Sequence, residues 1–146
     1  MARVSTYLNF QGQAEEAFAF YGQVFGTVPE GLMRLSDLPE GARPPLSPEE
    51  LNLVMHVELK IWAGHYIMAT DMIESLGQKL VVGNNTTLNL ELDSRDDADR
   101  LYGLLSDGGA DGSGMLDEFW GYWGSCLDRF GVRWMFNVMS TSSTEA

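Results

Sequence analysis

The sequence predicts an α+β fold made of two tandem βαβββ modules, module one at about 4–71 and module two at about 86–139, within one domain spanning 1–146. Three observations predict it. Short stretches alternate strictly between apolar and other residues, which is the period of a strand with one face in a core. Two longer stretches carry apolar residues at three- and four-residue steps, the period of an amphipathic helix. The halves also match. Leu8-Asn9-Phe10 corresponds to Leu88-Asn89-Leu90 at an offset of 80, and Glu15-Glu16-Ala17 through Tyr21-Gly22 to Asp96-Asp97-Ala98 through Tyr102-Gly103 at 81.

The first strand is Ser5 to Phe10, with Val4, Thr6, Leu8 and Phe10 on one face and Ser5, Tyr7 and Asn9 on the other. After Gly12, the apolar residues Ala14, Ala17, Phe18, Tyr21, Val24 and Phe25 give a helix that stops at Gly26. A weaker strand spans Thr27 to Leu35. Pro39, Pro44, Pro45 and Pro48 then break any ladder, so residues 36–50 read as a long surface loop, of a length suited to a lid or a plain insertion, with a helical turn begun at Ser47. Next comes a hairpin. Its first arm puts Leu53, Met55, Val57, Leu59 and Ile61 on an apolar face and Val54, His56, Glu58, Lys60 and Trp62 on a mixed one; Ala63-Gly64 makes the turn, and Tyr66 to Thr70 returns.

Residues 71–85 read as a connector ending in Gly83-Asn84-Asn85. Module two starts with Leu88, Leu90 and Leu92 facing one way and Thr87, Asn89, Glu91 and Asp93 the other. Ser94 precedes a helix with Asp96 and Asp97 in its first turn, where carboxylates meet the positive end of the helix dipole. Ala98, Leu101, Leu104 and Leu105 form its stripe, and Gly108-Gly109 ends it. Aromatic strands at about 113–120 and 122–128 follow, then a turn at Phe130-Gly131. The last strand, Val132 to Met139, sets Val132, Trp134, Phe136 and Val138 against Arg133, Met135 and Asn137. A polar tail begins at Ser140.

Composition narrows the function classes. The net charge of −12 disfavours nucleic acid and anionic membrane surfaces, which bind through clustered Lys and Arg. It suits either a cationic ligand or simply a well-solvated surface. One cysteine, Cys126, permits no internal disulfide, and no run of 18 apolar residues or charged-then-apolar leader occurs, so a soluble cytoplasmic protein is expected.

The order of elements, with YLNFQGQAEEAFAFYGQVFG at Tyr7 to Gly26, VMHVEL at Val54 to Leu59, VGNN at Val82 to Asn85 and DRFGVRWMFNV at Asp128 to Val138, resembles the glyoxalase/bleomycin-resistance/dioxygenase superfamily, also called vicinal oxygen chelate. Within it the chain looks most like the PhnB-like branch. The resemblance implies curled mixed sheets around a cavity, helices outside, and a homodimer; the mixed strand faces would line the cavity. It also implies a divalent ion held by four His, Glu or Gln side chains. Carried over residue by residue, those positions are Tyr7, Met68, Thr87 and Met135. None is a good ligand for a hard or borderline ion, so no metal and no cofactor is expected.

The candidate residues follow. His56 and Glu58 share the mixed face of the hairpin and are the candidate catalytic pair; the alternative is that they only shape the wall, with Glu58 and Lys60 in cross-strand ion pairs. His65, at the hairpin turn, reads as solvated. Tyr7, Trp62, Met68, Trp120, Tyr122, Arg133 and Met135 are the candidate ligand-binding set. Phe119, Trp120, Tyr122, Trp123 and Trp62 would wall a pocket for a planar or cationic ligand, or else divide between core and dimer interface. Arg133 would anchor an anionic group, unless Glu58 or Glu91 neutralises it. Cys126 has no histidine placed to activate it and reads as buried filler.

Small-molecule binding without metal is therefore one expectation. A metal-dependent lyase, isomerase or dioxygenase centred on His56 and Glu58 is the other. PhnB-like chains also carry a methyltransferase label, but the chain has no glycine-rich strand-to-helix loop with a following acidic residue for a nucleoside cofactor.

Overall fold

Two four-stranded sheets, each with one helix, make up the computed structural model, which describes residues 1–139. The chain divides into two units, Met1–Val81 and the part from Val82 onward. The polar tail from Ser140 lies outside the described residues.

In the first unit β1 (Thr6–Phe10) is followed by α1 (Ala14–Phe25), β2 (Glu30–Arg34), β3 (Val54–Lys60) and β4 (Tyr66–Asp71), in the spatial order β1-β4-β3-β2. β1 runs parallel to β4, and the other pairs are antiparallel. The helix forms where predicted because Ala14, Ala17, Phe18, Tyr21 and Phe25 recur on one side, and that side is buried against the sheet. Its C-terminus is closed by Gly26 in the left-handed conformation, whose N–H donates to Gly22 O. Gly22 itself has to be glycine, since a Cβ there would lie 2.7 Å from Thr27 O.

The start of α1 lacks a side-chain cap at Gln13 and is closed from a distance. Asp71, 5% exposed, accepts from Gly12 N and Ala14 N through Oδ1, both at 3.0 Å, and from Val54 N at 2.9 Å through Oδ2. One buried carboxylate thus ties the helix to two strands. Each bond counts for more than an ordinary one because the acceptor is charged.

Three sequence expectations change here. Strict alternation in the hairpin's first arm holds only from Val57 onward: Val54 is buried, whereas Met55 is half-buried, because the pairing of β2 with β3 slips between Glu30, Met33 and Arg34. Trp62 leaves the strand and enters the turn, where Ala63 (φ 54) and Gly64 (φ 75) both adopt the left-handed conformation. The predicted strand 27–35 shortens to Glu30–Arg34. The proline loop between β2 and β3 is braced: Arg43 donates to Leu38 O and Ser36 O, Arg34 to Asn52 O, Ser47 N to Glu50, and Ser75 Oγ reaches Glu50 as well. These bonds hold the Glu50 carboxyl below its usual range, the Ser47 N–H first among them.

The second unit repeats the pattern with β5 (Leu88–Glu91), α2 (Arg95–Ser106), β6 (Leu116–Glu118), β7 (Gly121–Leu127) and β8 (Arg133–Met139), in the order β5-β8-β7-β6. Ser94 Oγ caps α2 by accepting from Asp97 N at 3.1 Å. Ala98, Leu101 and Leu105 are buried, but Leu104, which the sequence placed in the same stripe, is 41% exposed. The strand expected over 113–120 is confined to Leu116–Glu118. Trp134, Phe136 and Cys126 complete the core, all at 0% exposure. Burial pushes the Cys126 thiol up to about 11, with Asp128 adding to it and Arg133 opposing it, which fits a filler and not a nucleophile.

A second buried carboxylate, Asp128, closes the β7–β8 turn. It accepts from Phe130 N (2.8 Å), Val132 N (2.9 Å) and Trp134 Nε1 (2.8 Å). The turn continues through Gly131 at φ 89.

Candidate functional site

In each sheet the pleat sends one set of side chains to the helix and the other to the opposite, open face. In the first unit the open face carries Tyr7 and Asn9 from β1, Met68 and Thr70 from β4, and His56, Glu58 and Lys60 from β3. Tyr7 pairs with Met68 and Met68 with Glu58, so these three stand in one row across the strands. His56 sits one pleat along. Its ring centroid is 6.0 Å from that of Tyr7, and its Nε2 is 3.0 Å from Glu58 Oε2.

Both members of that pair are about two-thirds buried, with side-chain exposures of 29% and 28%. A carboxylate only accepts, so Nε2 is the donor of that bond. The two residues share the strand face predicted for them and are joined directly: Glu58 bonds to His56, while its cross-strand neighbours are Met68 and Glu30, neither a cation. The other histidine also differs from expectation. His65 Nε2 is 3.0 Å from Thr6 Oγ1, a tie between hairpin and first strand, and not a solvated turn residue.

Trp62 lies off the open face. Its ring packs edge-on against Phe25 of α1 at 5.2 Å between centroids, on the helix side, with 37% of the residue exposed.

In the second unit the open face carries Trp123, Ser125 and Leu127 from β7 and Arg133, Met135 and Asn137 from β8. Tyr122 has the other parity. Its hydroxyl donates to Asp99 of α2 at 2.6 Å and the Arg95 guanidinium lies 4.4 Å over its ring, so Tyr122 joins the helix to the sheet. The bond to Asp99 also raises the Tyr122 pKa. Trp123, not Tyr122, is the open-face aromatic of β7. The Gly121–Gly124 stretch has no apolar alternation from which to read parity; only the pairing of Trp123 with Asn137 settles it. Trp120 sits in the β6–β7 turn, edge-on to Phe119 at 4.9 Å, with 37% exposed. Arg133 pairs with Asp111, at 3.4 Å, and with neither Glu58 nor Glu91.

The positions that the resemblance assigned to a divalent ion do not form a suitable donor set. Tyr7 and Met68 are indeed cross-strand partners, but Met135 stands beside Asn89, and Thr87 precedes β5. Phenol, thioether and hydroxyl side chains are poor ligands for such an ion. His56 and Glu58 supply two donors, and among the described residues no group of three or more His, Cys, Asp or Glu is placed to hold a metal.

The two mixed sheets, each flanked by one helix, are those of the glyoxalase-like fold, shared with solved members of the glyoxalase/bleomycin resistance/dioxygenase superfamily. The chain belongs to the PhnB-like family: the family model described as "3-demethylubiquinone-9 3-methyltransferase" matches residues 2–137. It is 28% identical to protein YjdN of Escherichia coli K12 over 151 residues, covering 97% of this chain and 99% of that one. Among solved structures it is similar to PA1353 of Pseudomonas aeruginosa (TM-score 0.80, 28% identity, 95% and 98% covered). It also resembles a putative 3-demethylubiquinone-9 3-methyltransferase, PhnB protein, of Bacillus cereus (TM-score 0.74, 20% identity, 94% and 99% covered).

Proposed function

We propose that the protein binds a small organic molecule against the open faces of its sheets and does so without the superfamily's usual metal. The observation that carries this reading is the composition of those faces. Aromatic and thioether side chains (Tyr7, Met68, Trp123, Met135) alternate with a few polar groups (His56, Glu58, Arg133); Tyr7 is exposed and the others are half-buried. Ligand sites have that makeup, an apolar lining with sparse polar groups that fix orientation. The helix in each unit packs on the other face, so these residues are not spent on its core.

Titrating small aromatic compounds while following tryptophan fluorescence and thermal unfolding tests it. A saturable fluorescence change with a rise in melting temperature is expected, since a ligand of the native state alone stabilises by mass action. Elemental analysis of protein purified without chelator should find metal well below one equivalent.

The His56–Glu58 hydrogen bond favours a second reading, an enzyme in which His56 Nδ1 accepts a proton from the substrate. Stoichiometric metal with metal-dependent turnover of a glyoxalase-type substrate would select it. The methyl-transfer reaction named by the family draws no support from the open faces; S-adenosylmethionine should leave the melting temperature unchanged.

A further inference from the structure

We propose that Arg133 anchors an anionic group of the bound molecule on the open face of the second sheet, and that Asp111 is the counter-ion the ligand displaces. The proposal rests on the reading that this face binds small molecules, and it names their chemical class.

Arg133 opens β8 opposite Leu127, with the parity of Met135 and Asn137. Its side chain is only 19% exposed, so its charge has lost most of its water. What replaces that water is incomplete. Asp111 Oδ2 is 3.4 Å from Nη2, long beside the roughly 2.7–2.9 Å of a good charge-assisted bond. Arg133 Nε is buried and has no hydrogen-bond partner among the described residues. Leaving a buried donor of a charged group unpaired is costly, and native structures rarely do so without a reason.

Asp111 is also a poor permanent partner. Its side chain is 62% exposed and its φ of 54 is strained for a residue with a side chain. It lies just past Ala110, which bridges to Leu127, so it approaches Arg133 from beyond the neighbouring strand. A carboxylate or phosphonate offers two oxygens at the spacing of a guanidinium edge and can take Nη2 and Nε together, supplying the bond that Asp111 leaves unmade.

Three other arginines are better served. Arg34 bonds to Glu15 and Asn52 O, Arg43 to Leu38 O and Ser36 O, and Arg95 to Asp117 and the Tyr122 ring. With a net charge of −12, diffuse attraction does not draw anions; a specific donor edge has to. Next to Arg133 on the same face stand Ser125 and its pair Met135, and Trp123 lies four residues before Leu127. That is about 13 Å along a strand, room for a planar or apolar body attached to the anionic group.

The test compares benzoate and phenylphosphonate with neutral benzyl alcohol and cationic benzylamine, using calorimetry and tryptophan fluorescence on the full chain. The anions should bind more tightly than the other two. Arg133→Gln should weaken anion binding at least tenfold and leave the alcohol unchanged. Asp111→Asn should tighten anion binding severalfold, because asparagine tolerates the left-handed backbone while removing the competing charge. This second variant decides the matter even if Arg133→Gln folds poorly, since structural damage would weaken binding. The proposal is overturned, with the small-molecule reading intact, if the alcohol or amine binds as well as the anions, or if Asp111→Asn weakens them. If no compound of any charge binds, both fall.

Discussion

Two buried carboxylates do the most at the scale of single residues. Asp71 and Asp128 each satisfy three N–H groups, Asp71 at the start of α1 and on β3, Asp128 across the β7–β8 turn and on the Trp134 indole. Removing such an acceptor strands donors that water cannot reach, and each stranded donor costs on the order of 1–3 kcal/mol. Asp128→Ala should therefore destabilise the protein by about 3 kcal/mol or more in urea unfolding, with Asp128→Asn intermediate because one acceptor oxygen remains. Neither role was legible in the sequence. An Asp between a strand and a Gly-containing turn reads as loop chemistry, and its partners are backbone groups that only the fold brings close. His56 and Glu58 were legible as a shared strand face, because period two places residues two apart on the same side.

At the scale of elements, periodicity located both helices to within a few residues and gave the faces of β1, β5 and β8. It failed where the pleat is interrupted. The slip between β2 and β3 buries Val54 against the alternation, and Tyr122 and Trp123, lying between two glycines, could not be assigned to faces until β7 was paired with β8. The hairpin turn was read correctly as Ala63-Gly64, and it carries a correctable flaw. Ala63 sits at φ 54, where a Cβ crowds the following carbonyl, whereas Asn-Gly is the preferred pair for such turns. Ala63→Asn should stabilise the protein by roughly 0.5–1 kcal/mol, measured as a rise in the denaturation midpoint without a change in slope.

At the scale of the whole molecule, a repeated order of elements is the organising feature. Offsets of 80 and 81 in the sequence become identical strand orders, β1-β4-β3-β2 and β5-β8-β7-β6, with a 12-residue helix in each unit. The open faces differ between the units, one bearing Tyr7, His56, Glu58 and Met68, the other Trp123, Ser125, Arg133 and Met135. Apolar and aromatic groups set among a few polar ones on an open face are what a binding role asks for. The most direct test is to map amide and methyl chemical-shift changes by nuclear magnetic resonance while a library of small aromatic compounds is added. The account predicts saturable shifts concentrated at the open-face residues of one or both sheets, with helix-facing residues such as Ala17, Ala98 and Phe136 silent. A library that shifts nothing, or shifts only helix-facing and loop residues, would contradict it.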